Sequence, residues 1–325
     1  MSKESLPTIV FMGTPEFATT ILKKIVEEGY PVAACVTAPD KPAGRGRKVQ
    51  ESHVKRYAAS QEITVLQPTN LKEELFVNEL KQLNADLFIV VAFRMLPEVV
   101  WRIPRLGTIN LHGSLLPDYR GAAPINWAVM NGDQKTGVTT FFINENIDTG
   151  DLLLKREMDI APNESAGSVH DRMMHLGAET IIETIQGVNK GTLKAIPQSE
   201  INDSPKRPAP KIFKNDCRID FSKDAKLLHD FIRGLSPYPG AWLRIKNTQK
   251  DQVKTMKVFE INLTEGNIHN TSKEARLIIS DNKLYLIWNE NQLEIRSLQL
   301  EGKKRLPSTD FLSGFKADEW EILID

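Results

Sequence analysis

The sequence is poor in cysteine and has no long hydrophobic run. Its two cysteines, Cys35 and Cys217, are too few for a disulfide framework and have no metal-site spacing. No apolar stretch approaches the ~20 residues of a membrane-spanning helix. The first apolar run follows "MSKESLP" directly, so we expect no signal peptide and no membrane anchor. These features predict a protein of the reducing cytoplasm.

An excess of positive charge is also missing. Lysine plus arginine number 42, and so do aspartate plus glutamate, which gives a net charge of zero. General nucleic-acid binders are usually basic overall. Any such binding by this chain therefore requires a local concentration of basic residues. With 41% hydrophobic and 26% charged residues, the composition is that of a globular protein.

Apolar runs alternate with amphipathic segments over residues 1–194. The runs "PTIVFMG", "YPVAACVTA" and "ADLFIVVAF" are typical of parallel strands covered by helices on both faces. "GTINLH" and "GVTTFFIN" are predicted as further strands of the same sheet. The first helix is predicted with Thr14 as its cap, Pro15 at its first position and Gly29 at its end. The pattern predicts a doubly wound, mostly parallel α/β domain.

The pattern changes near residue 195. The segment 195–212 is rich in proline and lacks periodicity, which predicts a basic linker. Beyond it, "SKDAKLLHDFIRGLSPYPG" predicts one helix, and short strands from "AWLRI" to "LEIRSLQL" follow between turn residues. Residues 213–325 are therefore predicted to form a small antiparallel β-barrel.

Polar residues lie at the ends of two predicted strands. Asn110 and His112 are two positions apart, so their side chains share one face. Ligands of open α/β sheets bind beyond the carboxyl ends of the strands, where an amide and an imidazole can stabilise an oxyanion. Asp148 follows another strand, and a carboxylate near His112 would orient the imidazole and favour its charged form. Taken singly, each residue also fits an ordinary strand-end or turn position.

Several motifs, in order along the chain, resemble one enzyme family. Asn110-x-His112, the following Ser-Leu-Leu-Pro and the Asp-Thr-Gly at 148–150 resemble formyltransferases that use 10-formyltetrahydrofolate. "IVFMGTPEFA", "APDKPAGRGRK", "RGAAPINWA" and "LSPYPGAW" are similar to the members that act on methionyl-tRNA. The resemblance implies a Rossmann-like formyltransferase domain, an OB-like tRNA-binding barrel and a role in translation initiation. We expect a cytoplasmic monomer that needs no metal.

The resemblance implies a role for particular residues. Asn110, His112 and Asp148 would be catalytic when the α-amino group of methionine, esterified to initiator tRNA, attacks the formyl carbon. His112 and Asn110 would stabilise the negative charge on oxygen, and Asp148 would assist proton transfer. Two leucines in the following loop are expected to be exposed so that the folate covers them. The implied folate-binding residues are Ser114, Leu115, Leu116, Pro117, Phe93, Arg94 and Met95.

Two basic segments are candidates for tRNA contacts. Residues 40–56 carry six Lys or Arg against two Asp or Glu, with glycines at 44 and 46 that make the segment flexible. Residues 203–218 carry five basic residues against two acidic ones. On charge alone, 40–56 is equally well explained as a solvated loop. The resemblance implies that it closes on the tRNA acceptor end. The expected tRNA-binding residues are Lys41, Arg45, Arg47, Lys48, Lys206 and Arg207.

Other hypotheses remain open. A formyltransferase for a nucleotide-linked amino sugar would share the catalytic core, the two domains and an anionic acceptor. Glycinamide ribonucleotide transformylase shares Asn-x-His and Leu-Leu-Pro, but it is a single domain without the basic loop. A non-catalytic dinucleotide-binding module is disfavoured, because "FMGTPEF" lacks the G-x-G-x-x-G pattern.

Overall fold

The structure, a computed structural model, describes residues 5–43, 48–201, 207–264 and 274–324. The chain divides into two compact units. The first is drawn from Met1–Pro124, Thr136–Asp159 and His170–Ala209, and the second from Ile125–Lys135, Ile160–Val169 and Pro210–Asp325. None of the helices within the described ranges is long and apolar enough to cross a membrane.

The chain up to residue 209 alternates strands and helices. Its strands are β1 (Ile9–Gly13), β2 (Val32–Val36), β3 (Lys41–Ala43), β4 (Lys48–Gln50), β5 (Thr64–Leu66), β6 (Leu87–Val91), β7 (Thr108–His112), β8 (Arg120–Gly121), β9 (Lys135–Phe142), β10 (Leu152–Asp159) and β11 (Pro208–Ala209). Its helices are α1 (Glu16–Glu27), α2 (His53–Ser60), α3 (Glu74–Gln82), α4 (Glu98–Trp101), α5 (Pro124–Met130) and α6 (Ala166–Asn189), and a 3-10 turn covers Gln198–Glu200.

Seven of these strands form one sheet in the order β10-β9-β7-β6-β1-β2-β5. The pairs β1–β2, β1–β6, β2–β5 and β6–β7 are parallel, and β9 runs antiparallel to β7. The prediction of a doubly wound, mostly parallel sheet is confirmed. The edge strand β10 was not predicted, because its second half, "KREMD", is charged and largely exposed.

The core lies against the centre of this sheet. Every residue of β1 and β6 is buried, as expected for apolar strands with helices on both faces. Val10 and Met12 pack with Leu80 of α3, and α1 buries Ile21 and Ile25. Burying one such side chain stabilises the fold by about 1.5–3 kcal/mol relative to exposure.

The start of α1 differs from the prediction by one position. Pro15 occupies the cap with extended backbone and the helix begins at Glu16, so Thr14 is not the cap. Proline fits here because its missing N–H has no partner at a helix start in any case. Gly29 follows the last turn with φ +78°, which agrees with its predicted role as terminator.

The segment 195–212, predicted as a linker, contributes structure to the first unit. β11 pairs in parallel with β8, with Pro208 opposite Arg120 and Ala209 opposite Gly121. Gly121 has φ +127°, and a Cβ there would overlap the carbonyl of Ala209. Only glycine fits a backbone that is both left-handed and this close to its neighbour.

The second unit is built on an antiparallel sheet. Its elements are α7 (Ala225–Gly234), β12 (Ala241–Asn247), β13 (Gln252–Leu263), β14 (Arg276–Ser280), β15 (Lys283–Trp288), β16 (Asn291–Leu300), β17 (Leu306–Pro307), α8 (Ser308–Leu312) and β18 (Trp320–Leu323). Strand order is β14-β15-β16-β13-β12-β18, and the edge strands β14 and β18 lie in contact, so the barrel is nearly closed. Its interior holds Leu243, Met256 and Trp288. The predicted small β-barrel is confirmed.

Candidate active site

His112 and Asp148 meet in the first unit, although 36 positions separate them in the sequence (148 − 112). His112 is the last residue of β7, and Asp148 lies in the turn between β9 and β10. The imidazole Nδ1 is 3.8 Å from the carboxylate Oδ2, and both side chains are largely buried. Because β9 lies next to β7 in the sheet, the turn that follows β9 brings the Asp148 carboxylate close to His112.

The other imidazole nitrogen is held by the backbone. His112 Nε2 lies 2.8 Å from the carbonyl oxygen of Tyr119. A carbonyl can only accept, so Nε2 carries a hydrogen. Nδ1 therefore faces Asp148. In the neutral ring Nδ1 presents a lone pair, and in the charged ring it carries a proton. The separation of 3.8 Å is beyond normal hydrogen-bond length, so the carboxylate faces Nδ1 without a direct hydrogen bond.

Asp148 is fixed through both its side chain and its backbone. Its Oδ2 accepts the N–H of Gly121 at 2.9 Å. Its backbone lies in the left-handed region with φ +53°. Its carbonyl and that of Gly150 accept hydrogen bonds from Gln198 Nε2 at 3.0 and 2.8 Å. Hydrogen bonds from Gly121 and from Gln198 therefore hold the turn at Asp148 in place.

Asn110 occupies the middle of β7, opposite Val90 on one side and Phe141 on the other. Strand alternation places its side chain on the same face as His112. It is partly buried, and its amide makes no hydrogen bond to the described part of the chain. The amide can therefore donate to a ligand bound on that face.

The Ser-Leu-Leu-Pro segment is more buried than expected. Ser114 and Leu116 are fully buried. Leu116 packs with Phe141 and donates its N–H to Thr139 Oγ1 at 3.0 Å. The expectation that both leucines are exposed is therefore wrong for Leu116, because this apolar side chain fills the core beneath the loop. Leu115 is only partly buried and remains accessible to a flat ligand.

The loop after β6 lies at the same sheet edge as the loop after β7, because these neighbouring strands are parallel. Met95 is 64% exposed and Phe93 is partly buried. Arg94 donates to the carbonyls of Pro68 and Thr69 at 2.7 and 3.0 Å, and its guanidinium lies 5.4 Å from the Phe93 ring centre. Arg94 therefore braces the loop, and Phe93 and Met95 supply apolar surface suited to a heterocycle.

The predicted tRNA-binding residues are only partly described. Arg45, Arg47 and Lys206 lie outside the described residues, as does the side chain of Lys48. Lys41 is exposed on β3, which pairs with β4 within the basic segment 40–56. Arg207 stacks on the Tyr119 ring at 4.6 Å and contacts Asp118 Oδ2 at 3.4 Å, so it lies beside the site.

Two residues of the site were not found from the sequence. Gln198 is 3% exposed and lies in the segment predicted as a linker, where no periodicity indicates burial. Arg120 donates to Gln198 Oε1 from Nε and Nη2 at 3.1 and 2.5 Å. The only sequence signal for Arg120 is its place in "RGAAPINWA".

Comparisons with known proteins identify relatives of this chain. The model of the formyl transferase family matches residues 7–185, and that of the formyl transferase C-terminal domain matches residues 211–316. A methionyl-tRNA formyltransferase of Flavobacterium johnsoniae is 51% identical over 97% of this chain and 98% of its own. One of Bacteroides fragilis is 49% identical over 98% of both chains.

Solved structures share the fold at low sequence identity. HypX from Aquifex aeolicus in complex with tetrahydrofolic acid has a TM-score of 0.64 at 18% identity, covering 95% of this chain and 47% of its own. WlaRD, a sugar 3N-formyl transferase, has a TM-score of 0.61 at 17% identity, covering 92% of this chain and 100% of its own.

Proposed function

We infer the function from one premise: the chain belongs to the formyl transferase family. It is an enzyme that transfers the formyl group of 10-formyltetrahydrofolate to the α-amino group of methionyl-initiator tRNA, for translation initiation. The observation that carries this proposal is the pairing of His112 with Asp148, in a chain that matches named methionyl-tRNA formyltransferases almost end to end.

The chemistry follows from the three polar side chains. The amine nitrogen forms a bond to the formyl carbon, and the formyl oxygen gains negative charge. The bond between that carbon and the folate nitrogen then breaks, and the proton lost by the amine passes to the leaving folate nitrogen. The Asn110 amide donates a hydrogen bond to that oxygen, and protonated His112 adds positive charge. By analogy with other oxyanion sites, one well-placed donor lowers the barrier by about 3 kcal/mol. Asp148 holds His112 in place and assists the movement of the proton from the attacking amine to the leaving folate nitrogen, directly or through water.

The accessible surface of the two loops suits the folate. Leu115, Phe93 and Met95 offer apolar contact area at one sheet edge, next to the Asn110 face. Ser114, Leu116 and Pro117 are buried. We therefore propose that they support Leu115 and that their side chains do not contact the folate directly. We propose that Arg94 holds Phe93 in position.

The acceptor is proposed to bind through the two basic segments. Lys41 and Arg207 are the described candidates, and Arg45, Arg47, Lys48 and Lys206 are proposed to add phosphate contacts. We further propose that the enzyme acts as a monomer in the cytoplasm.

The alternative is formylation of a nucleotide-linked amino sugar. Sugar N-formyltransferases share the fold at 17–19% identity, whereas relatives near 50% identity are named for methionyl-tRNA. The test supplies 10-formyltetrahydrofolate with methionyl-initiator tRNA, and separately with UDP-amino or dTDP-amino sugar. Formylation of the tRNA alone is expected. Formylation of a sugar nucleotide alone would overturn the proposal.

A further inference from the structure

The carboxamide of Gln198 is fully engaged inside the first unit. Its two N–H groups donate to the carbonyls of Asp148 and Gly150, and its oxygen accepts twice from Arg120. This set of partners fixes the orientation of the amide, since the nitrogen must face the carbonyls and the oxygen the guanidinium. All of its partners come from elements distant in sequence.

The bonds from Gln198 act on a backbone that is not otherwise favoured. The Asp148 backbone lies in the left-handed region at φ +53°, which aspartate adopts more readily than most L-residues but less readily than the right-handed region. Gln198 donates to the carbonyl of Asp148 at 3.0 Å, and at 3% exposure this hydrogen bond is shielded from bulk water. Losing a buried donor leaves two carbonyls unsatisfied, which favours reopening of the turn.

The position of the Asp148 carboxylate depends on that turn. The carboxylate lies 3.8 Å from His112 Nδ1, a separation that a small backbone rotation would increase. Gln198 makes no hydrogen bond to His112 or to the Asp148 carboxylate within the described residues. Its influence on the carboxylate passes through the Asp148 backbone and through Arg120, whose neighbour Gly121 donates to the carboxylate.

We propose that Gln198 is a positioning residue for formyl transfer, which holds the Asp148 turn so that the carboxylate faces His112, with Arg120 setting the orientation of the Gln198 amide. This inference rests on the proposed function. It assigns a catalytic consequence to a segment that the sequence presents as a linker.

The main test uses Gln198→Glu, which keeps the shape and the Arg120 partner but replaces the two donors by an acceptor. We expect kcat to fall about 10- to 100-fold, the range for misplacing a reacting group, with KM for both substrates within about twofold. Gln198→Ala should likewise lower kcat and leave KM nearly unchanged. Glu200→Gln, an exposed residue of the same 3-10 turn, is the matched control and should keep wild-type kcat.

A double-mutant cycle separates positioning from general damage. If Gln198 acts through Asp148, then Gln198→Glu should change the single-turnover rate less than about twofold in an Asp148→Asn background. The cycle compares rates within each background, so a partial loss of folded protein appears equally in both.

Three results would overturn the inference. The first is that both Gln198 variants keep kcat within about threefold of wild type. The second is that Gln198→Glu lowers the rate in the Asp148→Asn background as much as it does in wild type. The third is that the variants change only KM. Failure of the proposed function looks different, since wild-type enzyme would then not formylate methionyl-tRNA at all, and that result would remove both proposals.

Discussion

Backbone groups, one carbonyl and one N–H, orient the two titratable residues of the site. The Tyr119 carbonyl fixes which nitrogen of His112 carries hydrogen, and the Gly121 N–H holds the Asp148 carboxylate. A single side-chain change can therefore remove charge while leaving the geometry intact.

Replacing Asp148 by asparagine should abolish most of the activity without unfolding the protein. The asparagine carbonyl can still accept the Gly121 N–H, but the negative charge beside His112 Nδ1 is lost. We expect kcat to fall about 100- to 10,000-fold, as for loss of a general acid–base group. Single-turnover formylation measures this, with thermal unfolding as the control. A rate within tenfold of wild type would remove Asp148 from the mechanism.

Gly150 should not tolerate a side chain. A Cβ there would overlap the carbonyl oxygen of Phe142, so Gly150→Ala should destabilise the fold by about 1–3 kcal/mol or more. Gly314→Ala is the matched control, because a Cβ at Gly314 meets open space, and its effect should stay within about 0.5 kcal/mol. Denaturant unfolding of both variants is the measurement. Equal stabilities would contradict the predicted overlap.

The sequence predicts some of these residues and not others for physical reasons. Asn110 and His112 follow from strand alternation, which is a local rule. Leu116 was misplaced because an apolar loop residue can cover a ligand or fill the core, and only tertiary packing decides. Gln198 escaped notice because its partners lie 48 and more positions away, and no local pattern encodes them.

At the scale of elements, α7 carries a buried group of charges. Asp224 caps the helix by accepting the Leu227 N–H at 2.8 Å. Asp230 accepts from Arg233 Nε at 2.7 Å and from Lys226 Nζ at 2.5 Å. Burial raises the pKa of Asp230, but these two hydrogen bonds outweigh it and the net pKa is lowered. The Asp230 carboxylate thus stays ionised well below neutral pH.

The neighbouring His229 should make the second unit acid-sensitive. Burial lowers the pKa of His229 below its ordinary 6.5, with the Asp230 carboxylate opposing the shift. The unfolded chain then binds a proton more readily than the folded chain, so stability is lost as pH falls through about 6.5. His229→Gln should reduce the drop in unfolding midpoint between pH 8 and pH 5 by a few degrees.

The control for that experiment is His175→Gln, which replaces an exposed histidine. Its pH dependence should match wild type in calorimetry. An unchanged pH dependence in His229→Gln would show that other groups cause the acid sensitivity.

Elements with a clear hydrophobic period were predicted well, and those without one were not. α7 agrees with the sequence pattern, and so do the barrel strands from β12 to β16. β10 and β11 were missed because one is a charged edge strand and the other has only two residues. β11 is a strand because it pairs with β8, and the two residues of β11 do not by themselves encode that pairing.

At the scale of the whole molecule, zero net charge coexists with two basic segments. The change from α/β alternation to short strands is visible along the sequence, but the second compact unit also includes Ile125–Lys135 and Ile160–Val169, which the sequence pattern does not separate from the first unit. The family models match on either side of that change.

The local basic charge gives a prediction about salt. If about four phosphates of methionyl-tRNA are contacted, affinity should fall roughly 100-fold between about 50 and 200 mM salt, because counterions are released on binding. Affinity for the folate should change little over the same range. Binding titrations of each substrate provide the comparison, and a flat tRNA profile would contradict the basic-segment assignment.

The pairing of β11 with β8 bears on where this protein can be divided. A fragment ending at residue 185, where the first family match stops, would lose Gln198 and the strand opposite Arg120 and Gly121. A truncation after Ala209 would retain them. Anyone exchanging C-terminal modules between relatives should therefore place the junction beyond Ala209, since the preceding twenty-odd residues travel with the N-terminal module.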